Sequence, residues 1–599
     1  MVEMFLGNVY YKYIVILESE VPYMWQYGKK IMACVLACTM VIGSMAGGVM
    51  ISDKSAKAKD TDVEIVIDGG DVESAAGNVN GLTYKGFGLL SANSTSNLLM
   101  DYKAQDPYAY NKLLNVLFGG EHPLMNHIKM EMGNDGNNST GADSCTMRDE
   151  YEDADASRSP GFILAADAKK INPEIKVSIL RWEMPSWVQN YWNKDKKGKG
   201  YEAVYTWYKE TILDAYEKYG YMLDYINPDK NETWSPDVDF IKWFKERLST
   251  DEDFPEYVSD EAAELYRSTK IIASDENTSL NIVPEMRKDN ALYDAVDAIG
   301  FHYSTGTADS TKDYVAMAEQ DDKEVWYSEG CGSFSYSEYQ ENKTVSYGSG
   351  TLGGYQSPIA MCDCMIKSAV YSRKTHYIFQ PAIGSFYEGS QYDHKELVSA
   401  REPWSGNIHY DEAIYCLSHF YKFAKTGWEN ENNTAGIWRY IAQASDNNSN
   451  GTEHLTNEAG NPSYMTLASP DKKDFSTVVV NNSDKTLSYR IYADNMDIPS
   501  GKTLEMWETK TDSYLKHVAD IKDEGEGYIF EVEPFSVVTV TTLSCDGKEE
   551  YMNRLPENEI GAVLDTDETG SFQDTAGNIL YADDYEYASY DKDYLKSRG

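Results

Sequence analysis

Between residues 85 and 380, eight short apolar runs alternate with stretches of helical periodicity, and nothing else in the sequence constrains the fold as tightly. The runs are KGFGLLSA (85–92), HIKMEMG (127–133), KVSILRW (176–182), LDYIN (223–227), KIIASD (270–275), VDAIGFHY (296–303), EVWYSE (324–329) and HYIFQ (376–380). Residues 161–170, 201–219, 236–248 and 356–371 read as helices between them. Eight strand–helix units in succession are the arithmetic of a (β/α)8 TIM barrel, so the expected fold class is α/β. An open doubly wound sheet alternates in the same way. It usually carries a Gly-rich phosphate turn after its first strand, and that turn is missing here.

From about Ile437 the helical period stops. Residues 463–468, 475–480, 487–493, 503–509, 528–533 and 536–543 are short strands separated by turn residues, the pattern of an antiparallel β-sandwich. An alternating run ahead of the barrel, Val63-Glu-Ile-Val-Ile-Asp68, is expected to join that sandwich. The expected organisation is a targeting segment (1–58), strands for the sandwich (59–84), the barrel (85–430), the sandwich (431–545) and an acidic linker into the start of a further domain (546–599).

Residues 31–51, IMACVLACTMVIGSMAGGVMI, hold no charge, and Lys29 and Lys30 precede them. Ala56-Lys57-Ala58 follows in the small-x-small form of a signal-peptidase site. The expected start is Met24, with export and cleavage near Ala58 favoured over retention as an uncleaved anchor. No second stretch is long and apolar enough to span a bilayer, so the expected location is secreted or cell-surface. Two of the eight Cys lie in the targeting segment, and the other six are too few and too scattered for a disulfide scaffold. Cys362-Asp363-Cys364 lacks two further soft ligands nearby in sequence, so no metal or other cofactor is expected.

Charge narrows the partners. The chain has 54 Lys+Arg against 97 Asp+Glu, a formal net charge of −43. Such a surface repels phosphate backbones, which excludes nucleic acid as a partner, and it disfavours a basic membrane-surface helix. The 47 Tyr and 12 Trp suit carbohydrate, whose ring faces stack on aromatics, although a soluble fold can simply use Tyr in its core.

In a barrel of this kind, chemistry sits at the C-terminal ends of the strands. Asn231-Glu232 follows the fourth run, and Glu329 ends the seventh, across the mouth. Two carboxylates about 5–5.5 Å apart can flank a glycosidic bond, one as nucleophile and one as acid/base. Most of the 97 acidic residues are simply solvated, so it is the pairing at these two ends that carries weight. Asn231 is placed to donate to a sugar 2-OH. Asn231-Glu232-Thr233 also fits an N-glycosylation sequon, which is taken as chance because a glycan would block the site. Trp182, ending the third run, is a candidate wall of a sugar pocket or a rim aromatic. Ser139 and Thr140 lie in a polar, Gly-rich loop able to bind hydroxyls. Tyr303 is placed to hydrogen-bond the nucleophile, and His302 reads as a packed structural histidine.

The segments KGFGLLSANSTSNLL, HIKMEMGNDGNNSTGA, RWEMPSW, LDYINPDKNE, KIIASDEN, VDAIGFHYSTGT, VWYSEG and EPWSGN occur in an order that resembles the galactocerebrosidase family, glycoside hydrolase family 59 of clan A. The likeness runs from about Tyr84 to Trp428, and more loosely to Leu543. It implies a barrel, a β-sandwich and a lectin-like domain, and retaining hydrolysis of β-galactosides, galactosylceramide among them. Carried over, Glu232 is the acid/base, Glu329 the nucleophile, and Asn231 and Trp182 contact the sugar. The family has Trp where this chain has Lys230. Its substrate-binding Arg falls in a stretch that reads QYDHK here (391–395), placing His394 near it, with Arg401 close enough in sequence to substitute. The final segment resembles the lead-in to the lectin-like domain, which then stops.

The expected function is therefore an exported retaining β-glycosidase of the galactocerebrosidase type. Its partner would be a β-galactoside or a related glycan or glycolipid, with association at the cell surface. The alternatives are a clan A hydrolase of β-1,6-galactan, xylan or glucosides, a non-catalytic carbohydrate-binding barrel, or a structural surface protein.

Overall fold

A computed structural model describes residues 60–91, 95–136, 144–277, 280–303, 308–330, 352, 357–384, 396–447, 461–545, 555–556, 571–573 and 579–582. The targeting segment lies outside them. Among the described residues no helix is long and apolar enough to cross a membrane.

After β1 (Val63–Asp68) come eight strands: β2 (Gly86–Ser91), β3 (Met125–Met132), β4 (Lys176–Arg181), β5 (Tyr225–Lys230), β6 (Lys270–Asn277), β7 (Ala298–His302), β8 (Glu324–Gly330) and β9 (His376–Phe379). Each pairs in parallel with the next, and β2 pairs with β9, so β2 to β9 form a closed barrel. All eight expected runs fall on these strands. The largest shift is in β5, expected to stop at Asn227 but continuing to Lys230. Pro228 lacks an N–H, and only Tyr225 and Ile226 pair with β6, so the second half of β5 bends away from its neighbour. The helix Tyr201–Tyr219 closes on Gly220, whose φ of 75° is the left-handed cap that Gly adopts freely.

Alternation along β3 shows how the barrel is filled. Ile128, Met130 and Met132 belong to the apolar core, while His127 and Lys129, on the alternate positions, bond to groups on other barrel strands. At the base, Tyr225, Trp326, His376 and Trp428 pack edge to face or tilted, with His127 against three of them. Polar groups occupy the levels above.

Past the barrel, β10 (Ile383–Gly384), β11 (Val398–Glu402) and β12 (Asn407–Tyr410) make a small sheet that the apolar pattern did not announce. A six-stranded antiparallel sheet follows, in the order β13-β14-β15-β20-β17-β18: β13 (Arg439–Asn447), β14 (Ser463–Ala468), β15 (Phe475–Asn481), β17 (Thr503–Lys510), β18 (Ser513–Lys522) and β20 (Ser536–Thr541). A three-stranded sheet joins β1, β16 (Leu487–Asp494) and β19 (Tyr528–Val532). Tyr464 and Tyr489 meet edge to face between the two sheets. One correction is needed: β1 pairs with β16 in parallel, so the small sheet is mixed rather than antiparallel. The six-stranded sheet packs on barrel helices through His419, which bonds Thr539 and Thr509 at 2.8 Å each. Asn447 bonds Asp363 at 2.8 Å. Near the C-terminus β21 (Ser571–Gln573) and β22 (Ile579–Ala582) form an antiparallel pair.

Candidate active site

Strands β5, β6, β7 and β8 deliver acidic and imidazole side chains to one end of the barrel. β5 is followed directly by Asn231 and Glu232, β6 holds Asp275, β7 ends on His302, and β8 carries Glu329. Three of the residues here have left-handed backbones: Glu232 (φ 54°), Asp275 (φ 53°) and Tyr303 (φ 53°). Non-glycine residues rarely adopt this region, and such strain clusters at functional sites. Backbone bonds hold it in place. The Glu232 N–H donates to the Asp275 carbonyl at 2.9 Å, and the Tyr303 N–H to the Glu329 carbonyl at 3.2 Å. The segment after β5 is braced by side chains as well. The Asp229 N–H donates to Asn227 Oδ1, and Asp229 accepts from the N–H groups of Lys230 and Asp237, all at 2.9 Å.

His302 stands between the two glutamates. Its Nδ1 is 3.4 Å from Glu232 Oε1 and 3.6 Å from Glu329 Oε2, and its Nε2 is 3.5 Å from Asp275 Oδ1. One oxygen of each glutamate and a ring nitrogen of His302 lie within 4.8 Å of one another. Tyr303 Oη donates to Glu329 Oε1 at 2.5 Å. Beneath them Asp275 Oδ2 accepts from Lys129 Nζ at 2.8 Å and from Asn227 Nδ2 at 2.7 Å. Lys129 also reaches the Ser328 carbonyl at 3.1 Å.

The charges follow from this arrangement. Burial disfavours an imidazolium at His302, but Glu329, Asp275 and Glu232 together outweigh it and push the ring up to about 9. Burial would also raise Asp275, yet Lys129 and His302 hold it well below the carboxylate range. Burial, reinforced by the charge of Glu232, leaves Glu329 above its ordinary value despite His302. Burial acts the same way on Glu232, but the hydrogen bond and charge of His302 outweigh it and leave that group below. The two glutamates are thus pushed in opposite directions, Glu329 up and Glu232 down, by one shared set of charges, so neither titrates independently of the other.

Several buried side-chain atoms here are left open, those of Asn231 and Glu329 among them. Asn231 is fully buried, and neither atom of its side-chain amide has a partner among the described residues; nor has Glu329 Oε2. Buried polar groups are nearly always satisfied, so exceptions at a mouth mark where a ligand bonds. Glu232, His302 and Glu329 also form a group that could hold a metal ion, which the spread of His and Asp in the sequence did not show. A protonated imidazole offers no lone pair, so an ion there would have to displace the His302 proton.

Residues 84–422 match Glycosyl hydrolase family 59. The chain belongs to that family. This family 59 chain is 26% identical over 481 residues to a galactocerebrosidase of Salmo salar, covering 79% of this chain and 64% of the relative. It is 27% identical over 357 residues to the galactocerebrosidase of Homo sapiens, covering 58% and 44% respectively. The chain thus spans less than two thirds of the length of these relatives. Its fold is similar to SrfJ from Salmonella typhimurium, with a TM-score of 0.53 at 13% identity over 81% of this chain and 93% of that one. The catalytic domain of GH30 xylanase C from Talaromyces cellulolyticus gives 0.53 at 11% identity over 80% and 100%.

Of the residues singled out from the sequence of this family 59 member, the fold brings Asn231, Glu232, Tyr303 and Glu329 to one place. Trp182 follows β4 half-buried, packed on a cluster that includes Leu90 and Leu180. Arg401 lies on β11. Ser139, Thr140 and His394 fall outside the described residues. His302, read as a packed structural histidine, is fully buried and lies against both glutamates and Asp275. Asp275, Lys129 and Asn227 were missed. The available signal was a polar or charged residue inside a strand otherwise built of Ile, Met and Val.

Proposed function

We propose that this chain is an exported retaining β-glycosidase acting on β-galactosides, with Glu329 as nucleophile and Glu232 as acid/base. One observation carries the reading: carboxyl oxygens of Glu232 and Glu329, on opposite sides of the barrel mouth, approach within 4.8 Å. A close pair of carboxylates supports direct attack on the sugar, because an inverting pair stands farther apart to admit a water.

Glu329 Oε2 attacks the anomeric carbon while Tyr303 holds Oε1. Glu232 gives its proton to the departing oxygen. The C–O bond to the leaving group breaks as the Glu329–sugar ester forms. Glu232, now charged, takes a proton from water, and the resulting hydroxide releases the sugar and restores Glu329. The His302 imidazolium stabilises whichever glutamate is charged at each stage, and Asn231 donates to the sugar 2-OH. The galactose preference and the glycolipid class rest on the relatives' names, and export rests on the N-terminal pattern.

The test is hydrolysis of a panel of aryl β-glycosides by the wild type and by Glu329→Gln. Cleavage of the β-galactoside, lost by orders of magnitude in the variant, supports both chemistry and sugar. Cleavage of another β-glycoside with the same loss keeps the glutamates and removes galactose. No cleavage by folded protein returns the chain to a carbohydrate-binding role.

A further inference from the structure

The acid that protonates the leaving group marks the side on which that group lies. On that side two features stand out. Trp234, two residues beyond Glu232, is 79% exposed. Its backbone is not loose, since its carbonyl accepts from Asn281 Nδ2 at 2.8 Å and the Asn281 N–H is held by both carboxyl oxygens of Glu276 at 3.0 Å. The braced loop therefore presents a large flat ring to water. Four residues before it in sequence, Lys230 at the end of β5 forms an ion pair with Glu183, which follows β4. Both side chains are about half exposed, 47% and 55%. In the loops directly after β4 and β5, Trp234 is the exposed large apolar residue, and its neighbours Thr233, Ser235, Lys230 and Glu183 are polar or charged.

We infer that Trp234 is a stacking platform for the leaving group and that this group is a sugar ring, with the Lys230–Glu183 pair bonding its hydroxyls. The inference rests on the β-glycosidase reading above and extends it to the leaving group. A sugar has an apolar C–H face edged by hydroxyls, which matches one ring set in a polar rim. An acyl chain needs a continuous apolar groove, and an ion pair beside the acid would interrupt one.

The experiment measures kcat/KM of the full chain on a β-galactosyl disaccharide, methyl β-galactoside and galactosylceramide in detergent micelles. The wild type is expected to favour the disaccharide over galactosylceramide. In Trp234→Ala the ratio of disaccharide to methyl galactoside should fall about tenfold, chiefly through KM, and Trp234→Phe should recover most of it. An unchanged ratio in Trp234→Ala, or a wild-type preference for galactosylceramide, overturns the inference while galactoside hydrolysis still stands. If no glycoside is cleaved and Glu329→Gln matches the wild type, the β-glycosidase reading fails first and the inference with it.

Discussion

Glu324 and Glu329 stand at the two ends of β8, both buried, in opposite surroundings. At the base, Glu324 accepts from Tyr225 Oη at 2.7 Å, Trp326 Nε1 at 3.0 Å, Trp428 Nε1 at 3.1 Å and Lys270 Nζ at 3.1 Å, with Lys85 at 3.9 Å. Burial alone would raise it, but Lys270, Lys85 and Tyr225 draw it down to about 2. At the mouth, Glu329 has Tyr303 on one oxygen, no hydrogen-bond donor on the other among the described residues, and a raised affinity for its proton. One strand thus carries a buried acid whose capacity is filled and, at its other end, the proposed nucleophile left partly open. A charge in an enclosed barrel is stable when saturated with donors, and available for chemistry when it is not.

The largest effect should come from exchanging charge for amide at the two ends. Glu329→Gln is expected to lower kcat about a thousandfold or more while leaving Tm nearly unchanged, measured by aryl-galactoside turnover and calorimetry. Glu324→Gln should do the reverse. It strands Lys85 in the barrel, costing about 3–5 kcal/mol of stability in denaturant titration, with turnover per folded molecule retained. Equal activity losses in the two variants would erase the distinction.

Acidity separates the ends next. Glu324, lowered from 4.5 to about 2, contributes stability that is present above about pH 4.5 and lost as pH falls toward 2. His302, raised from 6.5 to about 9, contributes stability that is full below about pH 6.5 and lost as pH rises through 9. The Tm deficit of His302→Gln should therefore be greatest at pH 6 and shrink by pH 9.5, whereas that of Glu324→Gln should shrink only on acidification. A His302→Gln deficit flat across this range would show the ring to be neutral. The smallest effect is expected from Tyr303→Phe, which removes one bond to Glu329: a loss of roughly tenfold in kcat, seen in single-turnover kinetics.

The two ends also differ in how far they could be read in advance. The eight barrel strands were legible because each is a short apolar run bounded by breakers, and the meeting of Glu232 and Glu329 was legible because strand ends converge at one mouth. The pairing of Lys129 with Asp275 was not. Those residues are remote in sequence, and only barrel closure sets them across the lumen from one another. The strand Ser513–Lys522 was missed because its exposed, charged residues reflect an edge position, where one side faces water. The strand Arg439–Asn447 was missed for a related reason, its polar second half. That His302 carries charge depends on three carboxylates brought by β5, β6 and β8, which no local pattern encodes.

The parallel pairing of β1 with β16 bears on how the chain assembles. Asp62 bonds Ser488 across 426 residues of sequence, with the whole barrel lying between them. Contacts of such separation raise contact order, and the entropy of closing the intervening loop must be met before they form. As synthesis proceeds from the N-terminus, β1 emerges first yet has no partner until nearly the whole described chain has followed. The small sheet is thus a late-closing clasp, and a permuted chain carrying residues 60–68 directly before β16 should fold faster than the natural order while reaching the same barrel.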